Sequence, residues 1–158
     1  MSVSIDIALE ADGWNRILGA ELIVHRAAAA ALASAGATEG EVSILLADDA
    51  KIRELNRRFR GKDQPTNVLS FPAETSANGV RFFGDIALAL ETLLREAETE
   101  GKRADGHLSH LVIHGVLHLL GYDHESERDA EKMESLETRL VKALGFPDPY
   151  ASRAEETA

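Results

Sequence analysis

The segment Leu111–His124, which reads Leu-Val-Ile-His-Gly-Val-Leu-His-Leu-Leu-Gly-Tyr-Asp-His, decides how the centre of this chain is built. Its first ten residues are almost entirely apolar and predict a helix that is buried on nearly every side. His114 and His118 are four residues apart, so they lie on one face of that helix, one turn apart. Gly121 permits a left-handed stop, after which the chain can fold back and bring His124 towards the same point.

Three converging imidazoles suit a divalent metal such as zinc and leave a fourth coordination position open. The chain has no cysteine, so the ligands of such a metal must be histidines or carboxylates. The alternative is that the histidines are core residues. Each would then need its own hydrogen-bond partner, because an unpaired buried polar group costs roughly 1–3 kcal/mol. The open position indicates a catalytic metal site rather than a structural one.

The sequence also contains His110, one turn before His114, and helix geometry alone leaves open which pair of histidines binds the metal. The spacing of four and then six residues favours His114, His118 and His124. Metzincin proteases space their three ligands in this way and carry a glycine at the position of Gly121.

Gly115 separates this site from that of the proteases. In the metzincin pattern the residue after the first histidine is a glutamate, which acts as the general base. Glycine has no side chain and cannot accept a proton, which argues against proteolysis. A glycine inside a helix costs roughly 1 kcal/mol relative to alanine, so Gly115 predicts the close approach of another part of the chain.

The length and composition indicate one domain with its own hydrophobic core, assigned to residues 1–150. Residues 151–158 have too little apolar content to pack and are expected to fray. No segment is long and apolar enough to span a membrane, and the first residues lack a secretory pattern, so the expected location is the cytoplasm. The net charge of −10 argues against loose binding of nucleic acid over the whole surface.

The basic residues are nevertheless concentrated in one stretch. Six of the seventeen lie between Lys51 and Lys62, where the sole acidic residue is Glu54. They form either the solvated face of a helix or a local docking site for an anionic partner on an otherwise acidic protein.

Hydrophobic periodicity predicts a mixture of strands and helices that ends in two consecutive helices. The predicted strands are Val3–Leu9, Val42–Leu46, Val68–Phe71 and Phe82–Ala89. The predicted helices run from about Leu18 to Ser34, from a cap at Asp48 or Asp49 to Arg58, from Glu91 to Glu100, from Asp105 to Leu120, and from a cap at Ser126 to about Leu144. This order favours an α/β or an α+β domain in which helices cover one sheet.

Four segments carry a resemblance to a known family. They are Leu-Asn-Arg-Arg-Phe-Arg at 55–60, Pro-Thr-Asn-Val-Leu-Ser-Phe-Pro at 65–72, Gly-Asp-Ile at 84–86, and the histidine segment at 114–124. From about Val42 to Tyr150, the chain resembles the YbeY family of bacterial ribosomal-RNA maturation endoribonucleases. The most specific feature is the glycine after the first histidine together with the Gly-Tyr-Asp-His ending, which distinguishes the segment from zinc proteases.

The resemblance implies a zincin-like α+β fold with a small mixed sheet of about four strands covered by about five helices. It implies one zinc ion per chain, or another divalent transition metal, bound by His114, His118 and His124. The implied activity is a single-strand-specific endoribonuclease in 16S rRNA maturation and ribosome quality control. The implied partners are RNA, in particular ribosomal RNA, and a ribosome-associated protein, whereas neither DNA nor a membrane is expected.

The resemblance also implies a functionally essential arginine, which corresponds to Arg60. We expect Arg60 to pair with the scissile phosphate and to neutralise charge that grows in the transition state. Arg57, Arg58 and Lys62 are expected to hold neighbouring phosphates, or else to face solvent.

Asp85 and Asp123 are candidate partners for the N–H groups of the histidines, because a metal-bound imidazole nearly always donates its second ring nitrogen to an acceptor. A turn or capping role is the alternative for each. Two other functions stay open at this point: a non-catalytic ribosome assembly factor with a structural zinc site, and a zinc hydrolase that acts on another substrate.

Overall fold

The computed structural model describes residues 3–73 and 81–150. The strands in this part of the chain are β1 (Val3–Leu9), β2 (Gly40–Ala47), β3 (Val68–Pro72) and β4 (Phe82–Ala89). The helices are α1 (Ala20–Ser34), α2 (Asp49–Arg60), α3 (Leu90–Thr99), α4 (Ala104–Leu119) and α5 (Glu127–Ala143), with a short 3-10 helix at Asp12–Arg16. The tail predicted to fray, residues 151–158, lies outside the described residues.

The strands form one mixed sheet in the order β1-β2-β4-β3. β1, β2 and β4 run parallel, whereas β3 pairs antiparallel with β4, so that Ser70 lies opposite Ile86. Within the described ranges this sheet is accompanied by five α-helices. The arrangement confirms the predicted α+β fold class.

The side chains of β4 alternate between two layers of helices. Ile86 and Leu88 belong to a large core cluster with residues of α1, α4 and α5, whereas Ala87 belongs to a small cluster that contains Ile52 of α2. Successive side chains of a strand point to opposite faces, so residues two positions apart on β4 face the same layer of helices. Asp85 is two positions before Ala87, so it faces the same side as Ala87, away from α4.

Helix α4 is buried on nearly every side, as its sequence predicts. Leu108, Val112, Ile113 and Val116 are each 0% exposed. The helix packs against α1, α5 and the strands β3 and β4. Although α4 is largely apolar, no helix among the described residues has the length and apolar character needed to cross a membrane.

The close approach predicted at Gly115 is confirmed. A Cβ atom there would lie 3.2 Å from the hydroxyl oxygen of Ser70 and 3.2 Å from Cγ2 of Ile86, so the helix and the sheet nearly touch at this point. The Ser70 hydroxyl donates a hydrogen bond to the carbonyl oxygen of Gly115 at 3.3 Å. This contact holds the middle of α4, and the histidines on either side of Gly115, beside β3.

Local capping signals located several element ends correctly. The Asp48 side chain accepts a hydrogen bond from the backbone N–H of Lys51 and begins α2. The Ser126 side chain accepts from the N–H of Asp129 and begins α5. Gly121 has a φ of 101°, in the region that favours glycine, and so permits the predicted turn after α4.

Gly84 is the position of β4 where a side chain would be least tolerated. Its φ is 138°, and a Cβ atom would collide with the carbonyl oxygen of Phe71 and lie 2.9 Å from Cδ2 of Leu119. We expect Gly84→Ala to lower the free energy of unfolding by about 3 kcal/mol, because the sheet must separate locally. Urea unfolding measures this as a lower midpoint.

The matched control is Gly145→Ala. Gly145 also has a positive φ, 95°, but apart from its chain neighbours no atom of the described residues lies within 4 Å of the added Cβ. Gly145→Ala should therefore lower the free energy of unfolding only by the conformational cost of a positive φ in alanine, about 1 kcal/mol. Equal midpoints for the two variants would contradict the proposed collision at Gly84.

Candidate metal centre

The structure brings His114, His118 and His124 together. The first two lie one turn apart on α4, and the turn that contains Gly121 returns the chain so that His124 completes the group. One ring nitrogen from each residue can be chosen such that all three lie within 4.8 Å of one another. The Nε2 atoms of His114 and His118 are 3.1 Å apart.

These distances fit a divalent transition metal. Zinc binds imidazole nitrogens at ~2.0–2.1 Å, so two ligands of a tetrahedral site lie ~3.3 Å apart. The observed separation of 3.1 Å is close to that value. His124 is exposed, whereas His114 and His118 are half-buried, so the group is accessible from solvent on one side. The arrangement can thus bind a metal and leave a coordination position for a reacting group.

Glu137 of α5 fixes the orientation of His114. Its Oε1 atom accepts a hydrogen bond from Nδ1 of His114 at 2.7 Å. A carboxylate only accepts hydrogen bonds, so Nδ1 carries the proton and the lone pair of the ring is on Nε2. Nε2 is the atom that faces His118. The pair thus selects the tautomer that metal coordination through Nε2 requires.

The Glu137 carboxylate is 0% exposed and is surrounded by donors. It also accepts from Nε2 of His110 at 3.1 Å and from the hydroxyl of Tyr150 at 2.8 Å. Burial alone raises the pKa of Glu137, but the hydrogen bonds from His110 and His114 outweigh burial and lower the pKa to about 2. The stability that this ionised group contributes is present above its ordinary pKa of 4.5 and is lost as the pH falls towards 2.

The charge of Glu137 supports a cation in this centre. Among residues 3–73 and 81–150, its ion-pair partners are the imidazoles of His110 and His114, with no lysine or arginine. Buried carboxylates are normally paired with a positive charge. A metal ion bound through His114 would provide that charge. His110, which the sequence left as a competing ligand, is used here to hold Glu137.

Sequence reasoning missed Glu137, although a signal for it exists. Helix α5 has a buried face that includes Met133, Leu136 and Val141, and Glu137 lies on that face. A glutamate on the apolar face of an amphipathic helix is rarely fully buried unless it has a partner. The position therefore marks a residue whose charge is satisfied inside the protein.

Burial also lowers the pKa of His118, and the nearby rings of His114 and His124 lower it further. The ring of His118 is therefore neutral at physiological pH. Neutral imidazole is the form that binds a metal.

The two aspartates expected as hydrogen-bond partners of the histidines make other contacts among the described residues. Asp85 faces the side of the sheet opposite α4, where it lines a cavity with Asp6 and Ser43. Asp123 accepts a hydrogen bond from the backbone N–H of Glu125 and so has the turn role that was its alternative. Within the described part of the chain, neither carboxylate is hydrogen-bonded to a histidine, and Glu137 fills that role at His114.

Arg60 lies in the same cleft as the histidines. This metal cleft has a volume of about 490 Å³, and its walls include Arg60, Thr66, Ser70, His114 and His118. Nη2 of Arg60 donates a hydrogen bond to the carbonyl oxygen of Ser70. A positive charge in the same cleft as the imidazoles of His114 and His118 is suited to binding an anionic group such as a phosphate.

The neighbouring basic residues stay outside the metal cleft. Arg57, Arg58 and Lys62 are exposed around the C-terminal end of α2. The guanidinium of Arg58 lies 5.5 Å from the ring centre of Phe59, which is itself 58% exposed. These residues form a basic surface next to the cleft rather than part of its wall.

Comparison with known proteins gives a consistent result. The family model described as "Endoribonuclease YbeY" matches residues 16–145. The endoribonuclease YbeY of Bradyrhizobium diazoefficiens is 51% identical over 156 residues, covering 94% of this chain and 85% of the relative. That of Rhodopseudomonas palustris strain BisA53 is 52% identical over 155 residues, covering 94% and 90%. The solution structure of the protein TM1509 from Thermotoga maritima is similar with a TM-score of 0.60 and 27% identity, covering 87% of each chain.

Proposed function

The chain belongs to the YbeY family of endoribonucleases, and on that premise we propose that it cleaves single-stranded RNA in 16S rRNA maturation and ribosome quality control. The observation that carries this proposal is the metal cleft, whose walls include Arg60 and two of the three grouped histidines, His114 and His118. Residues 1–150 act as one hydrolase domain in the cytoplasm.

The metal is one zinc ion per chain, held by His114, His118 and His124. When bound, it supplies Lewis-acid chemistry at a phosphoryl oxygen and acidifies water. Glu137 keeps the ring of His114 in the required tautomer, and the neutral state of His118 leaves its lone pair free for coordination. The protein thus contributes an ordered set of neutral ligands around one accessible position.

Arg60 binds the scissile phosphate. One of its N–H groups is held by the carbonyl oxygen of Ser70, and the guanidinium lies 5.3 Å from the ring centre of Phe71. These contacts restrict the orientation of the side chain, and its remaining N–H groups have no hydrogen-bond partner among residues 3–73 and 81–150, so they can bind phosphate oxygens. Its charge offsets the negative charge that develops in the transition state.

Arg57, Arg58 and Lys62 bind the phosphates that flank the cleavage position. Their local positive charge contrasts with the net charge of −10 for the whole chain, so RNA approaches this surface rather than the molecule at large. A ribosome-associated protein supplies further recognition. Gly115 leaves no carboxylate next to the first histidine, and hydrolysis of peptides therefore has no support from this site.

Chelator treatment tests this proposal. The zinc-loaded protein should cleave a labelled single-stranded RNA, cleave the same sequence much more slowly when it is base-paired, and lose turnover when the metal is removed. Adding zinc back should restore the rate. Binding of RNA without turnover by the zinc-loaded protein would instead support a non-catalytic assembly factor.

The hydrogen bond between Glu137 and His114 should control metal affinity. We expect Glu137→Gln to weaken zinc binding about 10- to 100-fold, because the amide is neutral and holds the His114 tautomer less firmly. Competition with a chromogenic chelator measures the change. Glu131→Gln, on the exposed face of the same helix, is the matched control and should bind zinc like the wild type. Equal affinities in the two variants would remove Glu137 from the metal centre.

A further inference from the structure

A second cavity, of about 630 Å³, lies beside the metal cleft and is called here the flanking groove. The two cavities share Asn67, Val68 and His114 in their walls. An RNA strand whose scissile phosphate lies between Arg60 and the histidines therefore places an adjoining nucleotide at the flanking groove. The chemistry of the groove decides which part of that nucleotide it accepts.

Glu96 of α3 is a polar group of the groove that two hydrogen-bond donors hold in position. Its Oε1 atom accepts a hydrogen bond from Nε2 of His107 at 2.9 Å and from the amide of Asn67 at 3.1 Å. His107 is 6% exposed, and burial lowers its pKa although the hydrogen bond to Glu96 opposes the shift. The carboxylate is thus held by a neutral, buried imidazole and by an amide, neither of which contributes a metal ligand.

Glu96 retains acceptor capacity for a ligand. A carboxylate offers about four lone-pair positions. Two positions on Oε1 are used by His107 and Asn67, whereas within the described part of the chain Oε2 has one long contact, of 3.3 Å, with the same amide. The side chain is 35% exposed, so Oε2 is available to an incoming donor. A rigid acceptor at an accessible position is the usual form of a specificity contact.

The charge of the flanking groove excludes phosphate. Its walls carry the carboxylates of Glu96, Glu100 and Glu134 and one ammonium, that of Lys102. The Lys102 ammonium is already engaged by the carbonyl oxygen of Pro149 at 2.8 Å and by Glu100 at 3.3 Å. Phosphate is drawn to the basic metal cleft, and the groove accepts the uncharged base of the adjoining nucleotide.

Tyr150 offers a surface on which that base can stack. The residue is 43% exposed, and its hydroxyl is fixed by a hydrogen bond to Glu137 at 2.8 Å. The aromatic ring is therefore held in place at the rim of the groove. Stacking on aromatic side chains is a common way in which proteins hold the bases of single-stranded RNA.

We propose that the flanking groove is a base-specific subsite, in which Glu96 accepts a hydrogen bond from the exocyclic amino group of cytosine, adenine or guanine and disfavours uracil. Uracil presents carbonyl oxygens in place of an amino group, and its one ring donor on this edge, N3–H, lies between two such oxygens that repel a carboxylate. This inference rests on the proposed function, because it concerns the nucleotide next to the cleaved bond.

A set of single-stranded RNAs that differ in one base tests the subsite. Each carries one cleavable position, and the base on either side of it is varied. At one flanking position the wild-type protein should cleave cytidine about tenfold faster than uridine. Glu96→Gln should reduce this ratio to about one, because its amide also donates to a carbonyl oxygen. Glu98→Gln, an exposed neighbour on the same helix, is the matched control and should keep the full ratio.

The ratio of the cytidine rate to the uridine rate is measured on one sample of each variant. A partial loss of folded protein lowers both rates equally and does not change the ratio. A uniform rate for all bases in the wild type, or an unchanged ratio in Glu96→Gln, overturns the subsite while leaving the proposed function intact.

A second test does not depend on cleavage of RNA. Calorimetry measures how tightly the zinc-loaded protein binds cytidine monophosphate and uridine monophosphate. If the wild type binds the cytidine nucleotide more tightly than the uridine nucleotide and Glu96→Gln loses this preference, the subsite is supported. This holds even if no RNA is cleaved. The absence of cleavage would then contradict the proposed nuclease activity but not the subsite. Equal binding of the two nucleotides by the wild type overturns the subsite.

Discussion

Replacing His114 with alanine is expected to abolish zinc retention and, with it, cleavage of RNA. The substitution removes one of three nitrogen ligands, and two imidazoles hold a divalent ion far less tightly than three. It also removes the shortest hydrogen bond to Glu137, at 2.7 Å, from a carboxylate that is 0% exposed. The protein should therefore become less stable by about 1–3 kcal/mol, which urea unfolding of the metal-free protein measures separately.

Metal analysis after exhaustive dialysis is the decisive measurement for His114→Ala. The wild type should retain one zinc per chain and the variant none. His25→Ala is the matched control, since His25 is exposed on α1 and distant in sequence from the centre. Retention of stoichiometric zinc by His114→Ala would show that the metal is bound elsewhere, and the catalytic interpretation of the metal cleft would fail.

The fold was predictable because its signals are local. The alternation of apolar and polar residues in Val3–Leu9 and the apolar run of β2 identify these segments as strands without knowledge of the strands beside them. Asp48 and Ser126 identify the starts of two helices, because each side chain accepts a hydrogen bond from the backbone N–H three residues later. The grouping of the three histidines was equally local, because helix geometry and one glycine turn determine it. Each of these features depends on a few adjacent residues.

The orientation of β4 was not predictable in this way. The strand reads Phe-Phe-Gly-Asp-Ile-Ala-Leu-Ala, with apolar residues of both parities, because helices cover both of its faces. Such a strand gives no indication of which residues face which layer. Asp85 could therefore be placed near the histidines from the sequence, whereas the structure directs it to the other face of the sheet.

The partner of His114 depends on how two helices pack. Glu137 lies 23 residues after His114, on a different helix, and meets it only because α5 packs against α4. Its position on the apolar face of α5 indicated a buried charge but not its partner. The same holds for Glu96 and His107, which belong to α3 and α4. Hydrogen bonds between helices require the tertiary arrangement, which periodicity does not provide.

Arg60→Ala is expected to lower the rate of RNA cleavage about 100-fold while leaving the zinc content unchanged. The side chain lines the metal cleft but its hydrogen bond is to the carbonyl oxygen of Ser70, so its removal does not touch the three histidines. The loss should fall mainly on the rate at saturating RNA, because neutralising the scissile phosphate matters most in the transition state. Arg60→Lys should recover only part of the rate, because lysine keeps the charge but not the planar fork of donors.

Arg57→Ala is the control that distinguishes stabilisation of the transition state by Arg60 from general electrostatic attraction of RNA. Arg57 lies nearly one helical turn before Arg60 but outside the metal cleft, so its removal should weaken binding less than tenfold and reduce the dependence of binding on salt. Single-turnover cleavage at several salt concentrations, with zinc measured on the same samples, distinguishes the two residues. If Arg60→Ala cleaves at the wild-type rate once RNA is saturating, or behaves like Arg57→Ala at every salt concentration, Arg60 only attracts RNA. The transition-state charge must then be stabilised by the metal centre alone.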